Sequence, residues 1–198
     1  MGQRITSDEK STLSMYAGLI VVSLLVAGGI VLYFFSKETK PLVGFDPNRP
    51  VQSDAVLKRR LKPEQYHVVR ENGTQTPFQS EFWNNDRAGL YVDVITNEPL
   101  FTSVDKYDAG LGILTFSKPI SKDLLVEVPD TSHGMQRTEV RAKRSNAHLG
   151  HVFADPQAPG GTSYRLNSAA FNFIPVERMR LEHYESYLPL LEKKPAAP

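Results

Sequence analysis

Cysteine is absent from all 198 residues of the chain. A chain without it forms no disulfide, no zinc–thiolate site, no thiol nucleophile and no cysteine-linked lipid anchor. The compartment stays open, because a thiol-free protein is indifferent to redox poise. Charge of one sign is also missing: 23 Lys and Arg stand against 22 Asp and Glu, a formal net charge of +1. That excludes a dominant electrostatic attraction to nucleic acid or to an acidic membrane surface. No internal repeat is visible. The apolar and charged fractions, 40% and 23%, are those of a chain that folds around a core.

One long apolar run stands out. Residues 15–35, "MYAGLIVVSLLVAGGIVLYFF", carry no charge. At about 1.5 Å per residue the run spans roughly 30 Å, the thickness of a hydrocarbon core. Tyr16, Tyr33, Phe34 and Phe35 lie near its ends, where interfacial aromatics belong. It is long for the apolar stretch of a signal peptide and lacks a clean small-x-small exit. The expectation is an uncleaved transmembrane helix at 15–35, after an N-terminal tail at 1–14. Arg4 and Lys10 precede the run, and Lys37, Lys40 and Arg49 follow it, so the charge rule for orientation is nearly balanced. The short leading tail resembles a signal anchor, with the domain periplasmic or otherwise exported. "MGQRIT" fits a myristoylation pattern at Gly2, which a spanning helix makes redundant. "NGT" at Asn72 fits a glycosylation acceptor.

Residues 36–55, with Pro41, Pro47 and Pro50, read as an extended linker. A domain at 56–191 follows. "LKPEQYHVVREN" is predicted helical, with Pro63 in its first turn and an acid just after it. Short β-rich runs come next, "GLYVDVI", "GILTF", "LLVEV", "RTEVRA", "LGHVF" and "SYRLN", parted by Gly, Pro, Asn and Asp. Val176 to Leu191 is predicted as one closing helix, with Met179, Leu181, Tyr184, Tyr187 and Leu188 on a partly amphipathic face. The tail at 192–198 should be loose.

Three histidines and one arginine could carry chemistry. His148 and His151 are three apart in "HLGHVF"; on a helix they would share a face, on a strand they would not. A metal site would need a third ligand such as His133 or Asp155, and spacing alone favours ordinary core or rim histidines. In "SYRLN", alternation sets Tyr164 and Leu166 on one face and Ser163, Arg165 and Asn167 on the other. A buried, unpaired guanidinium costs several kcal/mol by the usual accounting for lone buried charge. Arg165 must therefore reach water, pair with an acid such as Glu81, Asp130, Glu139 or Asp155, or meet an anionic group.

The order "GLYVDVITNEPLF", "GLGILTF", "DTSHGMQRTEVRAKRSNAHLGHVF" and "YRLNSAAFNFIP" resembles one family, the B-type methionine sulfoxide reductases, or SelR domain. The resemblance runs from about Leu61 to Pro175. It implies a mainly β fold, with antiparallel sheets rolled towards a barrel, peripheral helices and a site on one sheet's face. It also implies reduction of the R epimer of methionine sulfoxide. The family's "RYCINSA" places its nucleophilic cysteine, or selenocysteine, where this chain has Arg165. The family's "GWPSF" places a substrate-packing tryptophan at Ile113, and a resolving cysteine of some members falls at Leu111. Four zinc cysteines of many members fall at Asp93, Thr96, Ala142 and Ser145. His148, His151 and Asn167 match by motif, as does Trp83 in "EFW".

The chain thus reads as a membrane-anchored, catalytically inactive relative with no cofactor and no metal. The expected role is a structural or binding subunit of an integral membrane complex, by analogy a respiratory or photosynthetic one. Gly28 and Gly29 in the apolar run offer small residues for helix contact. The alternative is a peptide-methionine (R)-S-oxide reductase with residual or unusual activity. A binder of oxidised methionine is a third reading.

Overall fold

The structure, a computed structural model, describes residues 44–192. The predicted membrane span, the tail before it, Gly2 and most of the C-terminal tail lie outside the described residues. Among those described, no helix is long and apolar enough to cross a membrane.

Two helices open the domain. Helix α1 spans Asp54–Arg60 and α2 spans Pro63–Glu71. The start of α2 follows from its sequence: Pro63 fits the first turn, and the Gln65 side chain accepts the Lys62 N–H at 3.1 Å. Its end follows too. Asn72 adopts a left-handed conformation, φ 55°, that a small polar residue tolerates, and the Gly73 N–H bonds the His67 carbonyl at 3.0 Å.

Eight strands follow: β1 (Gly89–Asp93), β2 (Pro99–Thr102), β3 (Leu114–Phe116), β4 (Leu125–Asp130), β5 (Arg137–Ala142), β6 (His148–Ala154), β7 (Thr162–Leu166) and β8 (Phe171–Pro175). They form a three-stranded sheet, β2-β1-β8, and a five-stranded sheet, β3-β7-β6-β5-β4, antiparallel throughout. The fold is therefore mainly β with few helices, but neither sheet closes into a barrel. Phe101 and Phe116 stack at 4.6 Å, and Tyr91 meets Phe116 edge-on at 5.0 Å, in a core that both sheets share. Leu90 and Val92 point the other way, into a second cluster with Ile174, Met179 and Tyr184. Strand β1 is thus covered on both faces, which is why "GLYVD" is buried throughout rather than alternately.

The predicted strands all form. Strands β2 and β8 were not predicted; "PLFT" is short, begins with proline, and is buried along its length. The single closing helix at 176–191 is a correction. The segment consists of 3₁₀ turns at Val176–Arg178 and Glu185–Tyr187 and a short α3 at Leu188–Leu191. His183 takes a left-handed φ of 61°, which breaks the helical path. Tyr184 is instead spent on the core, its hydroxyl donating to the Asn97 carbonyl at 2.9 Å. Upstream, Phe45 packs on the second cluster and beneath the Arg144 guanidinium, so the folded unit begins before α1.

The β5–β6 register carries a bulge. Val140 opposes Gly150 and Arg141 opposes His148, leaving Leu149 as the extra residue. Gly150 has a φ of +150°, and a Cβ there would collide with the Arg165 carbonyl on β7. We expect Gly150→Ala to cost about 2–3 kcal/mol, because backbone rather than a flexible side chain must give way. Chemical denaturation followed by the fluorescence of Trp83, the chain's one tryptophan, measures it.

Candidate functional site

The site lies on the face of the five-stranded sheet that turns away from the shared core. The bulge at Leu149 brings His148 and His151 onto that face together, with ring centroids 5.7 Å apart. This corrects the expectation that residues three apart on a strand are separated; it holds for a regular strand and fails at a bulge. His151 opposes Arg165 across the β6–β7 pairing. The pair of histidines and the "SYRLN" arginine are therefore neighbours.

Each histidine backs onto an acid. His151 donates Nε2–H to Asp130 Oδ2 at 2.7 Å, and Arg137 Nη2 donates to the same oxygen at 2.6 Å. His148 donates Nδ1–H to Glu139 Oε1 at 2.6 Å, and Arg141 bonds that carboxylate as well. Asp130 is held well below the usual carboxylate range, first by the Ser132 hydroxyl and amide and then by His151. His148 is pushed below the ordinary imidazole value by burial, which outweighs the pull of Glu139. Only 3% of its surface is exposed, and Nε2 is buried without a hydrogen bond.

Arg165 is half-buried. Its Nη2 donates to Asp155 Oδ2 and its Nε to Ser163 Oγ, both at 3.3 Å, while the guanidinium carbon lies 4.5 Å from the Phe153 ring centre. Of the four acids the sequence offered it, Asp155 is the partner; Asp130 and Glu139 serve the histidines, and Glu81 is exposed. A half-exposed ion pair and a cation–π contact are each worth about 0.5–1 kcal/mol. Arg165 is thus held in place, but the fold does not hang on it. Ser163 also accepts the Tyr107 hydroxyl at 2.8 Å. Nothing in the sequence singled out Tyr107 or Phe153.

Asn167 reaches the same end of the face but spends its amide on backbone. Its Oδ1 accepts the Gln75 N–H at 3.0 Å and its Nδ2 donates to the Leu149 carbonyl at 3.2 Å. Ile113 lies half-buried just before β3, whose Thr115 opposes Arg165. Leu111 is exposed beside it, and Phe78 meets Trp83 edge-on at 5.2 Å. Phe78 is 58% exposed and left-handed, φ 63°, its N–H bonded to the Gly112 carbonyl at 2.8 Å. A bulky residue there is strained by about 1–3 kcal/mol. His133 is exposed, its Nδ1 3.1 Å from the Ser132 hydroxyl. Among the described residues, no group of three or more His, Asp or Glu side chains is arranged to hold a metal ion.

The remaining four positions meet at the far end of the sheets. Thr96 Oγ1 donates to Asp93 Oδ2 at 2.8 Å, the Ile95 N–H to Oδ1 at 2.8 Å, and Ser145 hydrogen-bonds the same carboxylate. Ala142 is fully buried at the start of the Ser145 turn.

The SelR domain family model matches residues 61–175, more than half the chain. The chain belongs to the SelR domain family. The matched stretch runs from α2 to β8 and takes in the whole face just described. Membership supports a methionine sulfoxide reductase-like fold.

The depressed His148 pKa sets a pH dependence. A histidine whose pKa is lowered on folding adds stability that is present above its unfolded value, 6.5, and lost as pH falls through the folded value. We expect part of the protein's loss of stability below pH 6.5 to disappear in His148→Gln, measured as denaturation midpoints across pH 5 to about 8.

Proposed function

We propose that this SelR domain protein has lost the reductase chemistry and acts as a membrane-anchored binding or structural subunit of a larger membrane complex. The observation that carries the reading is the absence of any sulfur nucleophile. Reduction of a sulfoxide by this family's route needs a thiolate or selenolate to attack sulfur, and the 198 residues contain no cysteine. The motif resemblance puts the missing nucleophile at Arg165. A guanidinium stays protonated and cannot attack an electrophile. Methionine cannot stand in, because its thioether forms no thiolate. Rate enhancements of many powers of ten do not survive removal of the covalent step.

Binding remains open to such a face. Arg165 offers a positioned cation, and Phe78 and Leu111 offer exposed apolar surface on the same domain. The Ile113 substitution argues against oxidised methionine as the occupant, since the family's tryptophan at that position packs on the substrate methyl. Anchoring rests on the uncharged run at 15–35.

Reduction of an R-sulfoxide substrate with a dithiol reductant should give no turnover above the protein-free rate; turnover by the unmodified chain would overturn the proposal. Arg165→Cys should fold, at a cost of about 1–2 kcal/mol from the lost ion pair and ring contact, and supplies the thiol control. Solubilised in mild detergent from native membranes, the protein should copurify with an integral membrane partner. A monodisperse monomer would count against the subunit role.

A further inference from the structure

The chain enters the described domain beside one turn. Gly44, the first described residue, is buried and left-handed, φ 70°, and a Cβ there would lie 2.9 Å from the Glu182 carbonyl oxygen and 3.3 Å from the His183 Cβ. Phe45 then packs on the second cluster, which holds Met179 and Tyr184. The entry point and the turn at 178–184 are therefore locked together.

The turn is also fixed from within. The Glu182 N–H bonds the Arg178 carbonyl at 2.9 Å, and the Tyr184 N–H bonds the Met179 carbonyl at 2.7 Å. Arg178 Nε donates to Glu182 Oε1 at 2.7 Å. Met179 and Tyr184 are buried, and Leu181 between them is turned out. It is 73% exposed, more than any other large apolar side chain among the described residues. A single exposed leucine needs no explanation in itself. Its place beside the entry point gives it one.

Only eight residues, 36–43, part the end of the uncharged run from Gly44. Fully extended they span about 30 Å, and as a coil about half of that. We propose that the turn at 178–183 seats Leu181 in the lipid interface of the membrane that holds the chain. The proposal rests on the anchor at 15–35. One leucine would not hold a free domain on a bilayer, but a short tether makes the contact intramolecular, and a modest gain then suffices. Charge does not drive it: from 177 to 185 the chain has Arg178 and Arg180 against Glu177, Glu182 and Glu185. The contact would fix the orientation in which the domain is presented to a membrane partner.

Because the chain has no cysteine, one introduced thiol carries one probe. The full chain in phosphatidylcholine nanodiscs takes a fluorophore at Arg180→Cys, beside an unaltered Leu181, or at Met135→Cys. Met135 is exposed just before β5, at the opposite end of that strand from Arg144 and the Phe45 beneath it. A nitroxide on the lipid chain near the headgroup should quench the first probe several-fold more than the second. Leu181→Ser should bring the first down to the level of the second. Equal quenching at both sites, or quenching that Leu181→Ser leaves unchanged, overturns the proposal. Adding phosphatidylglycerol should not alter the ratio; quenching that appears only with this anionic lipid overturns the apolar seating. Alkaline carbonate extraction of the membranes that produce the chain separates two failures. Retention of the chain, with its Arg180→Cys probe unquenched, overturns the seating and leaves the anchor. Release overturns both.

Discussion

The close approach of β6 and β7 at Gly150 is the constraint on which the site depends. No Cβ fits between Gly150 and the Arg165 carbonyl, so only glycine lets the two backbones pair there. That pairing sets His151 opposite Arg165 and lets Asn167 reach back to the Leu149 carbonyl. On the other edge of β6, the same stretch slips by one residue against β5, and the slip turns His148 to the face that His151 already occupies. One glycine and one bulge thus collect the polar side chains that a regular strand would have dealt to two faces.

The charges on this face are ordered in rows rather than pooled. Arg137 and His151 share Asp130, Arg141 and His148 share Glu139, and Arg165 holds Asp155. Each of these three acids has its cation. The electrostatics are those of a satisfied surface. The places where the face is not relaxed are the buried Nε2 of His148 and the strained, exposed Phe78. Strain and orphaned atoms persist only where surrounding structure enforces them.

How much of this was legible in the sequence depended on whether the signal was local. Helix α2 was readable because its proline, first-turn acid and polar C-cap act within a few residues. The alternation in "SYRLN" was readable, and Tyr164 and Leu166 do face the core. The bulge was not readable: it arises from the register of β6 against β5, and glycine in a strand only hints at it. The partner of Arg165 was narrowed to four acids, but choosing Asp155 required the turn after β6 to bring it back beside β7. The closing helix failed because apolar spacing at 176–191 reports burial, and here burial is achieved by turns around Tyr184 rather than by helical repetition. The motif order of the SelR domain was legible because it is spread over many positions, so no single substitution erased it.

Retention of His148 and His151 is weak evidence for chemistry once their bonds are counted. Glu139 is mostly buried and paired with Arg141, and taking away the imidazole removes a hydrogen bond to that charged group, which is worth about 1.5–3 kcal/mol. The fold alone therefore has reason to hold these histidines in place, with or without a reaction to run. Arg165 is under no comparable demand. It is partly exposed, its ion pair is long, and a neutral side chain would leave Asp155 able to reach water. A permanent cation kept where the fold does not require one is the feature of this face that stability explains least, and it is there that a partner's contact should be sought.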